Sequence, residues 1–187
     1  LLSVWAAFPI PLFAMILILA IGIERGMSTF VVALCFVGWG EIAQYVRSEV
    51  ITLRGKAFLE GARAVGVPPE GVLRRHILPN LAPSILVLGS LEMGAVLLIL
   101  AELGFLSIFL GGGYRVMIGE AGAMMPIVAF YSDVPEWAAL LANIRQWWRS
   151  YPWLAWSPAI AFSLAILAFN LTGEGLRRLL GAADRIG

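Results

Sequence analysis

The length of its apolar runs constrains this chain more than any other feature. A helix crosses a bilayer with about 20 predominantly apolar residues. Four stretches approach that length: about Val4–Ile23, Thr29–Val46, Leu81–Leu103 and Trp153–Leu171. Pro9 and Pro11 interrupt the first, which a transmembrane helix tolerates when neighbours satisfy the freed backbone groups. Composition agrees: 60% of the 187 residues are apolar and 13% charged, against about 45–50% and roughly 25% in soluble domains. Mean hydropathy is +0.89. The fold class expected is all-α, a polytopic transmembrane helical bundle forming a single domain over residues 1–187.

Several chemistries lack the residues they need. Cys35 and His76 are each the sole residue of their type, so neither a disulfide framework nor a Cys/His metal site can form. The run Gly111–Arg115, "GGGYR", lacks the Lys-Ser/Thr of a phosphate-cradling loop and follows no strand pattern. No Ser/His/Asp or Cys/His set is available. The chain therefore reads as no enzyme, with no cofactor and no nucleic-acid partner. It opens at Leu1 inside an apolar stretch, without a charged n-region and cleavage site, which suggests a fragment lacking its natural N-terminus.

The charges divide by side. Arg47, Arg54, Lys56, Arg63, Arg74 and Arg75 lie between the second and third runs, and Arg177, Arg178 and Arg185 follow the fourth. On the other side are Arg25, Arg115, Arg145 and Arg149, nine against four. The positive-inside rule places residues 47–80 and the C-terminus in the cytoplasm of a multi-pass plasma (inner) membrane protein. Residues 104–152 become the external loop. Within it, Val116–Tyr131 is too short and Gly-broken for a span. The Trp-rich Glu136–Trp148 suits a surface helix at the headgroup level.

Residues 60–80, "EGARAVGVPPEGVLRRHILPN", are the most polar interruption of this oily chain. Residues 54–66 have the spacing of a short amphipathic helix. Lys56, Glu60 and Arg63 fall on one face, and Phe58, Ala62 and Val65 on another. Gly66 stands where a left-handed C-terminal residue is wanted. Pro69 and Glu70 suit the first turn of a second helix, about Pro69–Ile77, ending before Pro79. Helix, turn and helix over 54–79 fit either a basic connector touching anionic lipid heads or a docking surface.

The register adds to that pattern. Glu60, Ala62 and Gly66, followed by "HILP" at His76–Pro79, resemble the EAA motif of permease subunits in ATP-binding-cassette importers. That pattern is Glu-Ala-Ala, three residues, Gly, nine residues, then Ile-any-Leu-Pro. Here Gly61 replaces the first Ala and His76 the Ile, while Leu78 and Pro79 fall in register. "RHILPN" (Arg75–Asn80) resembles the variant in the dipeptide, oligopeptide and nickel branch. "AAFPIPL" (Ala6–Leu12), "WGEIAQYVRSEV" (Trp39–Val50) and "WLAWSPAIAFSLAILAFNLTGEGLRRLL" (Trp153–Leu180) are similar to segments of that branch, in the same order. "AELGFLSIFLGGG" (Ala101–Gly113) is only loosely similar, and residues 114–135 depart from the family's pattern.

The resemblance implies a coupling helix resting on a separate cytoplasmic ATPase subunit, with Glu60, Gly61, Ala62, Arg63, Gly66, Leu78 and Pro79 as its residues. It also implies a second permease subunit, an external solute-binding protein, and six spans, two of them ahead of Leu1. Peptides or related small solutes are the implied cargo. Glu41, Glu92 and Glu102 sit in or at the ends of apolar runs, where ionisable residues are costly and often functional, so they are candidates for the solute path. Interhelical hydrogen bonding is the plainer role for each. The small residues around Gly89–Ala95 suit close helix packing, and Trp147, Trp148, Trp153 and Trp156 suit an interfacial anchor. Two other classes compete: an ion-coupled secondary transporter, which calls for inverted repeats not visible here, and a membrane scaffold docking a cytoplasmic partner.

Overall fold

The computed structural model describes residues 9–110, 113–118 and 127–183. Helix α1 spans Ile10–Ile21, with Pro9 at its N-cap and Pro11 in its first turn, where no intrahelical N–H donor is lost. The expected start of this run near Val4 lies outside the described residues. A 3-10 turn, Ile23–Arg25, leads to α2, Met27–Arg54. Across that turn the buried Thr29 hydroxyl donates to the Gly22 carbonyl at 2.8 Å, satisfying a group that the end of α1 leaves without a helical partner. Helix α2 continues to Arg54 rather than ending with its apolar run at Val46. No Gly or Pro intervenes before Gly55, so nothing breaks the helix where it turns polar.

Helix α3 is Ala57–Ala64, shorter than the residues 54–66 that spacing predicts, and α4 begins at Pro69 and covers Pro69–Val72. A π-turn, Leu73–Ile77, joins α4 to α5, Leu78–Phe105. The second short helix therefore does not end before Pro79, and Pro69–Phe105 is one helical rod of 37 residues. Proline crowds the carbonyl four residues back and cannot donate to it. The widened turn just upstream, closed by the Leu78 N–H on the Leu73 carbonyl, accommodates both defects. Asn80 Nδ2 donates to the His76 carbonyl at 2.6 Å and covers one of the freed acceptors.

After α5 come two antiparallel strands, β1 (Tyr114–Ile118) and β2 (Ile127–Tyr131), in register from Tyr114↔Tyr131 to Ile118↔Ile127. Residues 114–135 matched no pattern in the sequence, yet each strand is β-branched and aromatic, the composition a pleated surface favours. The expected surface helix is instead two short ones, α6 (Trp137–Ala142) and α7 (Ile144–Trp147). They break at Asn143, whose side chain bonds the N–H and carbonyl of Phe130 at 2.9 and 2.6 Å. Helix α8 runs Trp153–Ala183.

Among the described residues three helices are long and apolar enough to cross a membrane: Met27–Arg54, Pro69–Phe105 and Trp153–Leu180. Within the first expected span the described helix has 12 residues. The chain packs as two units. One, Leu1–Val37 with Gly94–Leu167, is built on Ala14, Ile18, Phe30, Ala33, Leu103 and Ile108. In it Gly104 permits the close approach of α6, since a Cβ there would come within 2.5 Å of Ala138. The other, Gly38–Met93 with Ala168–Gly187, is built on Leu59, Val72, Ile77 and Leu81.

Candidate functional site

The polar segment belongs to the second unit. A helix as short as α3 is not stable alone, so its position depends on what it buries. Leu59 is fully buried with Val72, Ile77 and Leu81, against Val46, Val50 and Leu53 of α2 and Val67 of the linker. This corrects the predicted apolar face of Phe58, Ala62 and Val65: Val65 is 85% exposed, Phe58 is exposed, and Ala62 is half-buried. Leu59 stands i, i+3 from Ala62, but apolar residues nearly all round the helix leave that spacing ambiguous. Phe58 instead lies beside His76, ring centroids 6.4 Å apart, so the one histidine packs against the helix.

The C-terminal end of α3 is a Schellman cap. Gly66 takes φ +83°, its N–H donates to the Arg63 carbonyl at 3.0 Å, and the Val67 N–H donates to the Ala62 carbonyl at 3.1 Å. Burial of a leucine contributes about 1.5–3 kcal/mol. The Glu70–Arg74 pair, 3.0 Å long with both side chains 73% exposed, contributes a few tenths of a kcal/mol. Packing, not pairing, seats the segment.

That seating leaves a bare face. Glu60, Gly61 and Arg63 are exposed, and among the described residues Glu60 and Arg63 form no ion pair. Lys56 precedes α3 rather than lying in it. A Cβ on Gly61 would meet nothing within 4 Å, so nothing inside the chain requires glycine there. Leu78 and Pro79 are exposed at the start of α5. They join α3 through the Leu59–Ile77 cluster one residue upstream. Glu60, Gly61, Ala62, Arg63, Leu78 and Pro79, all partly or fully exposed, thus share one anchored substructure with Gly66 at its corner.

The carboxylates divide. Glu41 on α2 is exposed and Glu92 on α5 is half-buried, both in the second unit. Glu102 belongs to the first unit, exposed beside Pro11, Phe105 and Leu106. Two of the three thus belong to the same unit. Trp148, Trp153 and Trp156 are exposed, and Tyr151 packs between Trp147 and Trp153 at 5.9 and 5.4 Å.

The family model for binding-protein-dependent transport system inner membrane components matches residues 1–183. The dipeptide transport system permease protein DppC of Alkalihalophilus pseudofirmus is 32% identical over 178 residues, 95% of this chain and 51% of that protein. The glutathione transport system permease protein GsiD of Escherichia coli O1:K1 is 32% identical over 174 residues, 93% of this chain and 50% of that protein. The same figures hold for its namesake in Shigella flexneri serotype 5b. The chain spans about half the length of these relatives. With a family match over nearly all its length and three membrane-length helices among the described residues, this chain belongs to the inner membrane components of binding-protein-dependent transport systems.

Proposed function

We propose that the chain is a permease subunit of an ATP-driven importer, forming half of a solute path and docking a cytoplasmic ATPase subunit through residues 54–79. One observation carries this reading: α3 is fixed by Leu59 yet presents Glu60, Gly61 and Arg63 bare. A short helix held on one side and free on the other can be gripped and pushed as a unit. Ala62 and Gly61 allow close approach, Gly66 makes the corner, and Leu78 and Pro79 carry displacement into α5. In this arrangement residues 47–80 and the C-terminus face the cytoplasm, and an external solute-binding protein and a second permease complete the importer.

Peptides or related small solutes are the proposed cargo, as two relatives are named for dipeptide and for glutathione transport. Carboxylates in an apolar layer are costly until a positive group joins them. Glu92 and Glu41 would meet the amine of such a solute, and Glu102 is a separate candidate for the path. The test is ATP-dependent uptake in vesicles holding the whole importer. Glu60→Lys reverses a charge that forms no ion pair among the described residues. It should cut uptake at least tenfold, as loss of a docking hot spot of about 1.4 kcal/mol or more does, with insertion unchanged. Undiminished uptake would refute the docking role.

A further inference from the structure

A cavity of about 470 Å³ opens in the second unit, walled by Val50, Val67, Val72 and Ile77 and lined also by Arg54 of α2 and Arg63 of α3. Its size falls within the roughly 300–1,000 Å³ of small-molecule sites. No acidic residue lines it, and among the described residues neither arginine forms an ion pair. Two exposed arginines lining a partly apolar recess give it a positive charge that an anion relieves. Arginine's planar fork suits a phosphate above other anions.

Depth indicates where that anion comes from. Counted from Met27 at about 1.5 Å per residue, α2 crosses a hydrocarbon layer of about 30 Å near Arg47. Val50 then lies within the headgroup layer, and Arg54, about 10 Å past the hydrocarbon edge, is within side-chain reach of it. We propose that this cavity seats the headgroup of an anionic phospholipid from the adjacent leaflet, its phosphate held between Arg54 and Arg63. The valines and Ile77 receive the glycerol and upper chain. A zwitterionic headgroup brings an ammonium to the same two arginines and is disfavoured. The bound lipid ties α3 to the end of α2. The consequence, that coupling depends on leaflet composition, rests on the docking role proposed above, whereas the lipid site itself does not.

Native mass spectrometry of the purified full chain, delipidated and titrated with phosphatidylglycerol or phosphatidylcholine, tests the site without any ATPase. Phosphatidylglycerol should be retained about tenfold more tightly, a difference of about 1.4 kcal/mol, and the preference should vanish in Arg54→Gln/Arg63→Gln. Arg74→Gln, whose residue pairs with Glu70 outside the cavity, should keep it. Arg54→Lys/Arg63→Lys preserves charge without the fork and should fall between, with thermal unfolding unchanged. Equal retention of the two lipids, or indifference to the double glutamine variant, overturns the proposal. So does displacement by inorganic phosphate at equal concentration, which would make the occupant a free anion. Loss of ATPase capture in the glutamine variant with lipid retention intact would make it a protein seat.

Discussion

With its side chain buried between α2 and the base of the long rod, Leu59 turns an eight-residue helix into a fixed element. Its charged neighbours are exposed and contribute little to that. Leu59→Ala should therefore cost about 2–4 kcal/mol of local stability, transfer and cavity terms together. Hydrogen exchange checks this: protection over residues 57–66 should collapse, while Phe58→Ala, at an exposed position, changes it little. Equal effects of the two would mean that the ring contact with His76, not the leucine, seats the helix. Gly66 was legible in the sequence because a left-handed cap follows from local backbone geometry alone. Leu59 was not, because Ala57, Phe58, Leu59, Ala62, Ala64 and Val65 supply apolar residues nearly all round. Only the partners on α2 and α5 select the face that is buried.

At the scale of elements, the departures from expectation share a physical cause. Hydropathy reports where apolar sequence stops, whereas a helix stops where its backbone is broken, so α2 reaches Arg54. Pro79 reads as a terminator when local rules are applied, but a π-turn absorbs its missing donor and the rod continues. The β1–β2 pair was illegible because pairing between strands eight residues apart is a tertiary choice that short apolar runs do not encode. The π-turn yields a direct test. Pro79→Ala removes the crowded carbonyl and the lost donor, so the turn should relax to α-helix. Dropping one residue from the turn rotates Pro69–Ile77 by about 100° against α5, taking Ile77 away from Leu59. Oxidative cross-linking of Phe58→Cys with His76→Cys, whose rings are neighbours, should proceed in the parent and fall sharply with Pro79→Ala. Unchanged cross-linking would show that the leucine cluster, not the proline, sets the turn.

For the whole molecule, only 11–28% of each candidate span is buried within the chain, and Leu86, Leu164 and Leu171 are more than 60% exposed. Such helices need lipid or other helices around them, which suits a subunit that works in company. Position 61 separates two explanations for the small residues of α3. If glycine is there for the chain's own packing, a larger side chain should destabilise the fold. The structure gives it no such duty, because a Cβ meets nothing within 4 Å, and leucine is the better helix former by up to about 1 kcal/mol. Gly61→Leu should therefore insert normally and unfold at the parent temperature or slightly above. If the bare face is an ATPase seat, the same leucine holds the partner surface away from Glu60 and Arg63. Co-purification of the ATPase and ATP-dependent uptake should then both fall by about tenfold or more, the scale of a blocked hot spot. Stability and docking would move in opposite directions. A variant that loses stability and uptake together would return Gly61 to a packing role, and one that loses neither would leave α3 a connector.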